Sequence, residues 1–247
     1  MIQLNHKNSM LLEKVTVDSL ENIDFKNKKL INTINPHSYL TAQTNTAFAD
    51  ALNASDILLP DGVGIVWAKQ LLNKTKIKKI AGYDLFTFLM ADLNKKKGSC
   101  FFLGSSEKTL SLIKKRATKE FPHVTINNYA PPFKKIFTTA DSVKMCTLVN
   151  KANPDILFVG MTAPKQETWV HTNHKNINTK LICSIGAAFD FYSGVVKRPS
   201  LFWRSKGLEW LARFIGDPKR LARRNLISTP KFIVQIFWMK IFRKPLF

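Results

Sequence analysis

At 247 residues with 45% hydrophobic content, the chain can bury a substantial core and is too apolar to be disordered. Its 38 Lys and Arg against 17 Asp and Glu leave a formal charge of +21, which asks for an anionic partner: nucleic acid, a phosphorylated metabolite or an acidic lipid surface. Three scattered cysteines, Cys100, Cys146 and Cys183, speak against a disulfide framework or a CxxC zinc site, and no run reaches the roughly 18 apolar residues of a membrane span.

The opening MIQLNHKNSMLLEK lacks the basic and long apolar regions of a signal peptide; with the cysteine usage, this favours a reducing cytoplasm. Strand-like apolar runs then alternate with stretches of helical spacing. The run at 30–34 leads into a helix over 38–53, 57–59 into 62–72, 100–103 into 107–120, 124–126 into 140–152, and 156–159 into 165–171. A further apolar run, LICSIGAAFDFYSG, ends in a glycine-bearing loop. The alternation predicts an α/β fold over residues 1–196, a Rossmann-like, mostly parallel sheet with helices on both faces.

From Lys197 the character changes: thirteen Lys or Arg and two acids, Glu209 and Asp217, give residues 197–247 a charge of +11. This reads as a separate basic, helical appendage. Asp217-Pro218 and Thr229-Pro230 each fit an N-cap followed by a first-turn proline, so three short helices broken at those points are predicted, with Arg220 and Arg224 on one face. The last segment, PKFIVQIFWMKIFRK, sets Phe232, Ile233, Ile236, Phe237 and Ile241 at helical spacing beside Trp238, Lys240, Arg243 and Lys244. Two readings fit it: a helix lying in a membrane interface, or one packed on its own domain or a sister subunit. The flanking charge favours the membrane, since anionic lipid attracts such residues by roughly 1 kcal/mol each.

In an open α/β sheet ligands bind beyond the carboxyl ends of the strands, where loop amides and helix N-termini point. The polar residues expected at that edge are Thr33, Asn35, Asp61, Gly104, Gln166, Glu167 and Asp190. Plain structural roles compete for several of them. Asp61 could cap the helix after it, Gln166 and Glu167 could be first-turn helix residues, and Gly104 in FFLGSS is a lone glycine rather than a phosphate-binding motif. Capping alone does not explain so many polar side chains on one edge. His37, His123, His171 and His174 show no zinc-ligand spacing, and no two aspartates are separated by one residue, so neither a metal site nor a DxD motif is expected.

Taken together, TINP (33–36), DGVGIVWA (61–68), AGYDL (81–85), FLGSS (102–106), VGMTAPKQE (159–167), IGAAFDFYSGVVKRP (185–199) and GLEWLARFIGDPKRLARRN (207–225) make the chain resemble the WecG/TagA/CpsF family of bacterial glycosyltransferases. The motifs cover nearly the whole chain. The resemblance implies an inverting, metal- and cofactor-independent transfer of an N-acetylmannosamine-type or related hexose from a UDP-sugar to a polyprenyl-diphosphate-linked sugar. It places the enzyme on the cytoplasmic face of the cell membrane, in synthesis of a cell-surface polysaccharide or teichoic-acid-type polymer. By the same carry-over, Asp61 is the catalytic base, Thr33 and Asn35 line the sugar pocket, and Gln166 contacts the donor. Arg213, Arg220 and Arg223 or Arg224 close over the diphosphate. Lys79 stands where the family often has arginine, keeping the charge but losing the bidentate fork.

Two rivals come from other classes. A nucleotide-cofactor oxidoreductase would need GxGxxG with an acidic residue about 20 positions on, which is missing. A non-catalytic membrane- or nucleic-acid-binding protein would explain the charge but leave Asp61, Gln166 and Asp190 without a role. Nucleic acid is therefore not an expected partner. An anionic membrane surface is, and an apolar patch bared by a displaced appendage would favour a homo-oligomer.

Overall fold

The computed structural model describes residues 11–17, 19–25 and 27–242. Residues 1–10, on which the signal-peptide reading largely rests, and the basic pair Arg243 and Lys244 lie outside the described residues. Six strands, β1 (Lys29–Ile34), β2 (Ile57–Pro60), β3 (Ser99–Gly104), β4 (Thr125–Tyr129), β5 (Ile156–Gly160) and β6 (Leu181–Ser184), form one sheet in the order β2-β1-β6-β5-β3-β4. Every neighbouring pair is parallel, which makes the sheet all-parallel.

Its helices are α1 (Pro36–Thr44), α2 (Thr46–Asn53), α3 (Val63–Asn73), α4 (Gly82–Lys96), α5 (Glu107–Glu120), α6 (Thr139–Ala152), α7 (Lys165–Asn173) and α8 (Ala188–Ser193). Strands covered on both faces must be apolar throughout rather than alternating, and all five residues of β5 are buried. Within β3 the pleat sends Cys100 and Phe102 into the core under α4 and α5, and Phe101 and Leu103 into the core under α6 and α7.

Two local readings are corrected. The helix expected over 38–53 is two helices, because Asn45 takes an extended conformation and its side chain accepts from Phe48 N at 3.0 Å, capping α2. Helix α4 was not foreseen, although Leu85, Phe86, Leu89, Met90 and Leu93 repeat at helical spacing and are buried.

The tail forms α9 (Leu201–Ser205), α10 (Glu209–Gly216), α11 (Pro218–Ala222), a π-helical turn (Arg223–Ser228) and α12 (Thr229–Phe242). Asp217 caps α11 as expected, its side chain accepting from Arg220 N at 3.3 Å. The break expected at Thr229-Pro230 does not form. Pro230 has no N–H to give, yet the chain stays helical through a π turn just before it, in which Thr229 N bonds to the Arg224 carbonyl five residues back and Thr229 Oγ1 donates to the same oxygen at 3.1 Å. Helix α12 thus continues from α11 and packs Phe232, Ile236 and Met239 against Tyr39, Phe48, Ile65 and Ala68. The rings of Tyr39 and Phe232 meet edge-on at 5.2 Å. The packing reading holds for this face and for Phe237 at its margin, whose ring meets Trp67 edge-on at 5.3 Å. Ile233, Val234, Trp238, Ile241 and Phe242 on the other side are exposed. No helix among the described residues is long and apolar enough to cross a membrane.

Candidate active site

Adjacent strands β1 and β6 send the chain in opposite directions: β1 leads through α1 and α2 to β2, whereas β6 leads into α8, which packs on α4 and α5. Such a switch point opens a crevice at the strand ends. Asp61 stands at its β1–β2 side. It follows Pro60, the last residue of β2, and its N–H donates to the Ile34 carbonyl at 2.8 Å. The N-cap of α3 is Gly62, at φ +115, a backbone that glycine tolerates, and no side chain caps that helix. The capping reading of Asp61 fails on this geometry.

Four charged residues of other segments act on Asp61. Burial raises its pKa, Arg224, Arg213 and Lys79 pull it back down, and Glu209 adds to the rise. The π turn delivers Arg224, and the turn is itself fixed by His37 Nδ1 and Ser228 Oγ at 2.9 Å. Burial, then Arg224 and Arg223, lower the pKa of His37, which favours a neutral imidazole beside the arginines. Burial lowers the pKa of Arg224, while Asp61 favours its charged form. Helix α10 delivers Arg213, whose guanidinium sits 5.0 Å from the centre of the Phe191 ring. Asp190, on α8, is raised by burial and drawn down by Arg220 and Arg213, which makes it the second acid facing the tail arginines. Arg220 is exposed and donates from Nε to Asp217 at 2.5 Å.

The remaining expected residues sort by what they touch. Thr33 pairs with Leu59 in the β1–β2 register. The Asn35 side-chain oxygen caps α1, accepting from Ser38 N at 3.0 Å. Lys79 is held by Glu209, with Nζ and Oε2 2.5 Å apart. Gln166 bridges the loops after β5 and β6: its Oε1 accepts from Met161 N and Gly186 N, both at 3.1 Å. Its Nε2 donates to Glu167 Oε1 at 2.8 Å. Glu167 is 2% exposed, its Oε2 has no hydrogen-bond partner, and burial pushes its pKa up to about 7. Gly104, at φ +118, has a packing reason to be glycine, because a Cβ there would lie 2.5 Å from the Gly160 carbonyl oxygen.

The structure therefore sets Asp61 within the electrostatic reach of Lys79, Arg213 and Arg224, and Asp190 within that of Arg213 and Arg220. Gln166, Glu167 and Gly104 lie on the β3–β5–β6 side of the edge, and their contacts here are with backbone and with each other. Sequence reading missed Asp84, Arg198 and Glu209. Arg198 donates from Nη2 to Asp84 Oδ1 at 2.8 Å and stacks 4.2 Å from the centre of the Tyr83 ring. Asp84 and Arg198 lie within AGYDL and VKRP, but nothing in their spacing signals that they pair.

Chemically, the site sets one partly buried carboxylate among cations from three separate segments. That arrangement suits proton abstraction next to a departing anion. Among the described residues no group of three or more His, Cys, Asp or Glu side chains is placed to hold a metal.

Sequence comparison gives relatives over most of the chain. A protein of Bacillus spizizenii called N-acetylglucosaminyldiphosphoundecaprenol N-acetyl-beta-D-mannosaminyltransferase is 30% identical over 234 residues, 95% of this chain and 88% of its own. A Bacillus subtilis protein of the same name is 32% identical over 223 residues, 89% and 84% of the two chains. One from Staphylococcus aureus is 25% identical over 210 residues, 85% and 80%. The family model described as "Glycosyl transferase WecG/TagA/CpsF family" matches residues 7–245. With that match spanning nearly its whole length, the chain belongs to the WecG/TagA/CpsF family of glycosyltransferases.

Proposed function

We propose that this glycosyltransferase moves N-acetylmannosamine from a UDP-linked donor to an N-acetylglucosaminyl-diphospho-lipid acceptor, with inversion and with Asp61 as the general base. The names of the relatives support the sugar and the acceptor. The observation that carries the mechanism is the placement of Asp61 among Arg224, Arg213 and Lys79 at the switch point.

In this mechanism the acceptor hydroxyl oxygen attacks the anomeric carbon from the face opposite the diphosphate, and Asp61 takes its proton. The bond from the anomeric carbon to the diphosphate oxygen breaks, and UDP leaves with the electron pair. Its developing charge falls on Arg213, Arg224 and Lys79, with Arg220 at the rim. Burial raises the basicity of Asp61, which improves a base, while the surrounding cations favour its ionised form.

The lipid acceptor calls for a membrane-facing surface. The bare side of α12, with Val234, Trp238, Ile241 and Phe242 exposed beside exposed Lys231 and Lys240, fits an anionic bilayer interface. Leu226 and Ile227 of the π turn extend this apolar surface towards Arg224.

A screen of UDP-sugars for UDP release, with a short-chain polyprenyl-diphospho-N-acetylglucosamine as acceptor, tests the reading. UDP-N-acetylmannosamine is expected to give the highest acceptor-dependent release. Preference for another sugar overturns the donor, and no release with any sugar overturns the activity.

A further inference from the structure

Helix α10 inverts the usual pattern of a docked helix. Its buried residue is an acid, Glu209, whereas Trp210 and Ile215 are 44% and 66% exposed, and none of the residues of the preceding α9 is buried. Leu211, Ala212 and Phe214 are only half-buried, so apolar packing of this stretch against the sheet domain is partial. The other end of the tail is anchored differently, by the packing of Phe232, Ile236 and Met239 and by the His37–Ser228 contact.

What meets α10 is a chain of alternating charges. Glu209 Oε2 lies 2.5 Å from Lys79 Nζ, and its Oε1 is 3.8 Å from Arg198 Nε. Arg198 in turn reaches Asp84 Oδ1 at 2.8 Å, and the second oxygen of Asp84 accepts from Ala81 N at 3.1 Å at the start of α4. The side chains of Arg198 and Glu209 are only 13% and 12% exposed, so their attraction is weakly screened, and losing one partner leaves the others unpaired at a cost. Arg213 sits one helical turn after Glu209, so whatever fixes Glu209 also fixes Arg213 in the cleft.

We propose that Glu209, held by Lys79 and by the Asp84–Arg198 pair, is a positioning residue that docks α10 electrostatically and thereby places Arg213 against the leaving diphosphate. The proposal rests on the function given above for what Arg213 does there, but the docking itself can be tested without any assumed substrate.

The test uses the full chain and its Glu209→Gln and Arg198→Gln variants. Amide hydrogen exchange is expected to rise at least about tenfold in residues 209–216 of both variants while residues 229–242 stay protected as in the parent. Unchanged exchange in 209–216 overturns the proposal whatever the substrate proves to be. A rise that spreads equally through 229–242 overturns it too, because it would show general unfolding. The functional arm reads UDP affinity by calorimetry for Arg213→Ala, Glu209→Gln and the double variant. If Glu209 acts through Arg213, the double variant binds within about twofold of the weaker single one. Fully additive losses overturn the link to Arg213. Wild-type protein that binds UDP but transfers no sugar would count against the proposed function alone.

Discussion

Asp61 and Arg224 shift one another's protonation across the cleft: the guanidinium draws the aspartate pKa down against its burial, and the aspartate favours the charged form of the buried arginine. The pairing joins the end of β2 to a π turn more than 160 residues later in the chain. In the proposed mechanism it makes the base responsive to where the tail sits.

The first prediction follows from the sign of that interaction. Asp61 must be ionised to act as a base, so kcat/KM falls as pH drops through its pKa. Arg224→Gln removes a charge that lowers this pKa, which moves the acid limb of the profile to higher pH in addition to any loss of rate. A limb that stays in place, or moves down, contradicts the pairing.

The second concerns Glu167. Its folded pKa of about 7 stands above the reference value of 4.5, so its contribution favours the folded state fully below pH 4.5 and is lost as pH rises through 7. Glu167→Gln keeps an oxygen to accept from Gln166 Nε2 and removes the titration. The variant should gain stability over the parent at pH 8, on the order of 1–3 kcal/mol, and gain much less at pH 5. Denaturant melts at the two pH values check it.

The two faces of α12 should separate cleanly. Phe232→Ala cuts into the core and is expected to cost about 3–5 kcal/mol of stability. Val234→Glu with Trp238→Glu and Ile241→Glu, all on the exposed face, should leave the melt nearly unchanged, weaken sedimentation with anionic vesicles, and spare transfer to a short soluble acceptor. Unchanged sedimentation of the triple variant would rule out that face as the membrane contact. Deleting the whole helix would be a poorer test, since it also removes Phe232, Ile236 and Met239 from the core.

Transfer should proceed undiminished in EDTA, because in this mechanism arginine and lysine side chains carry the charge of the leaving diphosphate. Loss of activity in chelator, restored by magnesium or manganese, would contradict that assignment.

The sheet was legible in the sequence because parallel strands buried on both faces leave unbroken apolar runs such as ILFVG, bounded by glycine and polar residues. The split at Asn45 was not, since asparagine reads equally as a helix surface residue until its side chain is seen to cap Phe48. The proline at 230 misled because the helix runs on through a π turn just before it, and nothing in the local pattern signals that turn. The edge residues of the site followed from the strand ends. The ion pairs of Asp84, Arg198 and Glu209 did not, because pairs such as Asp84–Arg198 and Lys79–Glu209, more than a hundred residues apart, carry no spacing rule, and a glutamate in the first turn of an amphipathic helix reads as its solvent side.

The account stands most directly on Asp61→Asn, which keeps the shape of the side chain and removes the base. With UDP-N-acetylmannosamine and the lipid-linked acceptor, kcat should fall by about 10²- to 10⁴-fold while UDP affinity and melting behaviour stay close to the parent. Turnover within about threefold of the parent would contradict the role given to Asp61, and with it the mechanism.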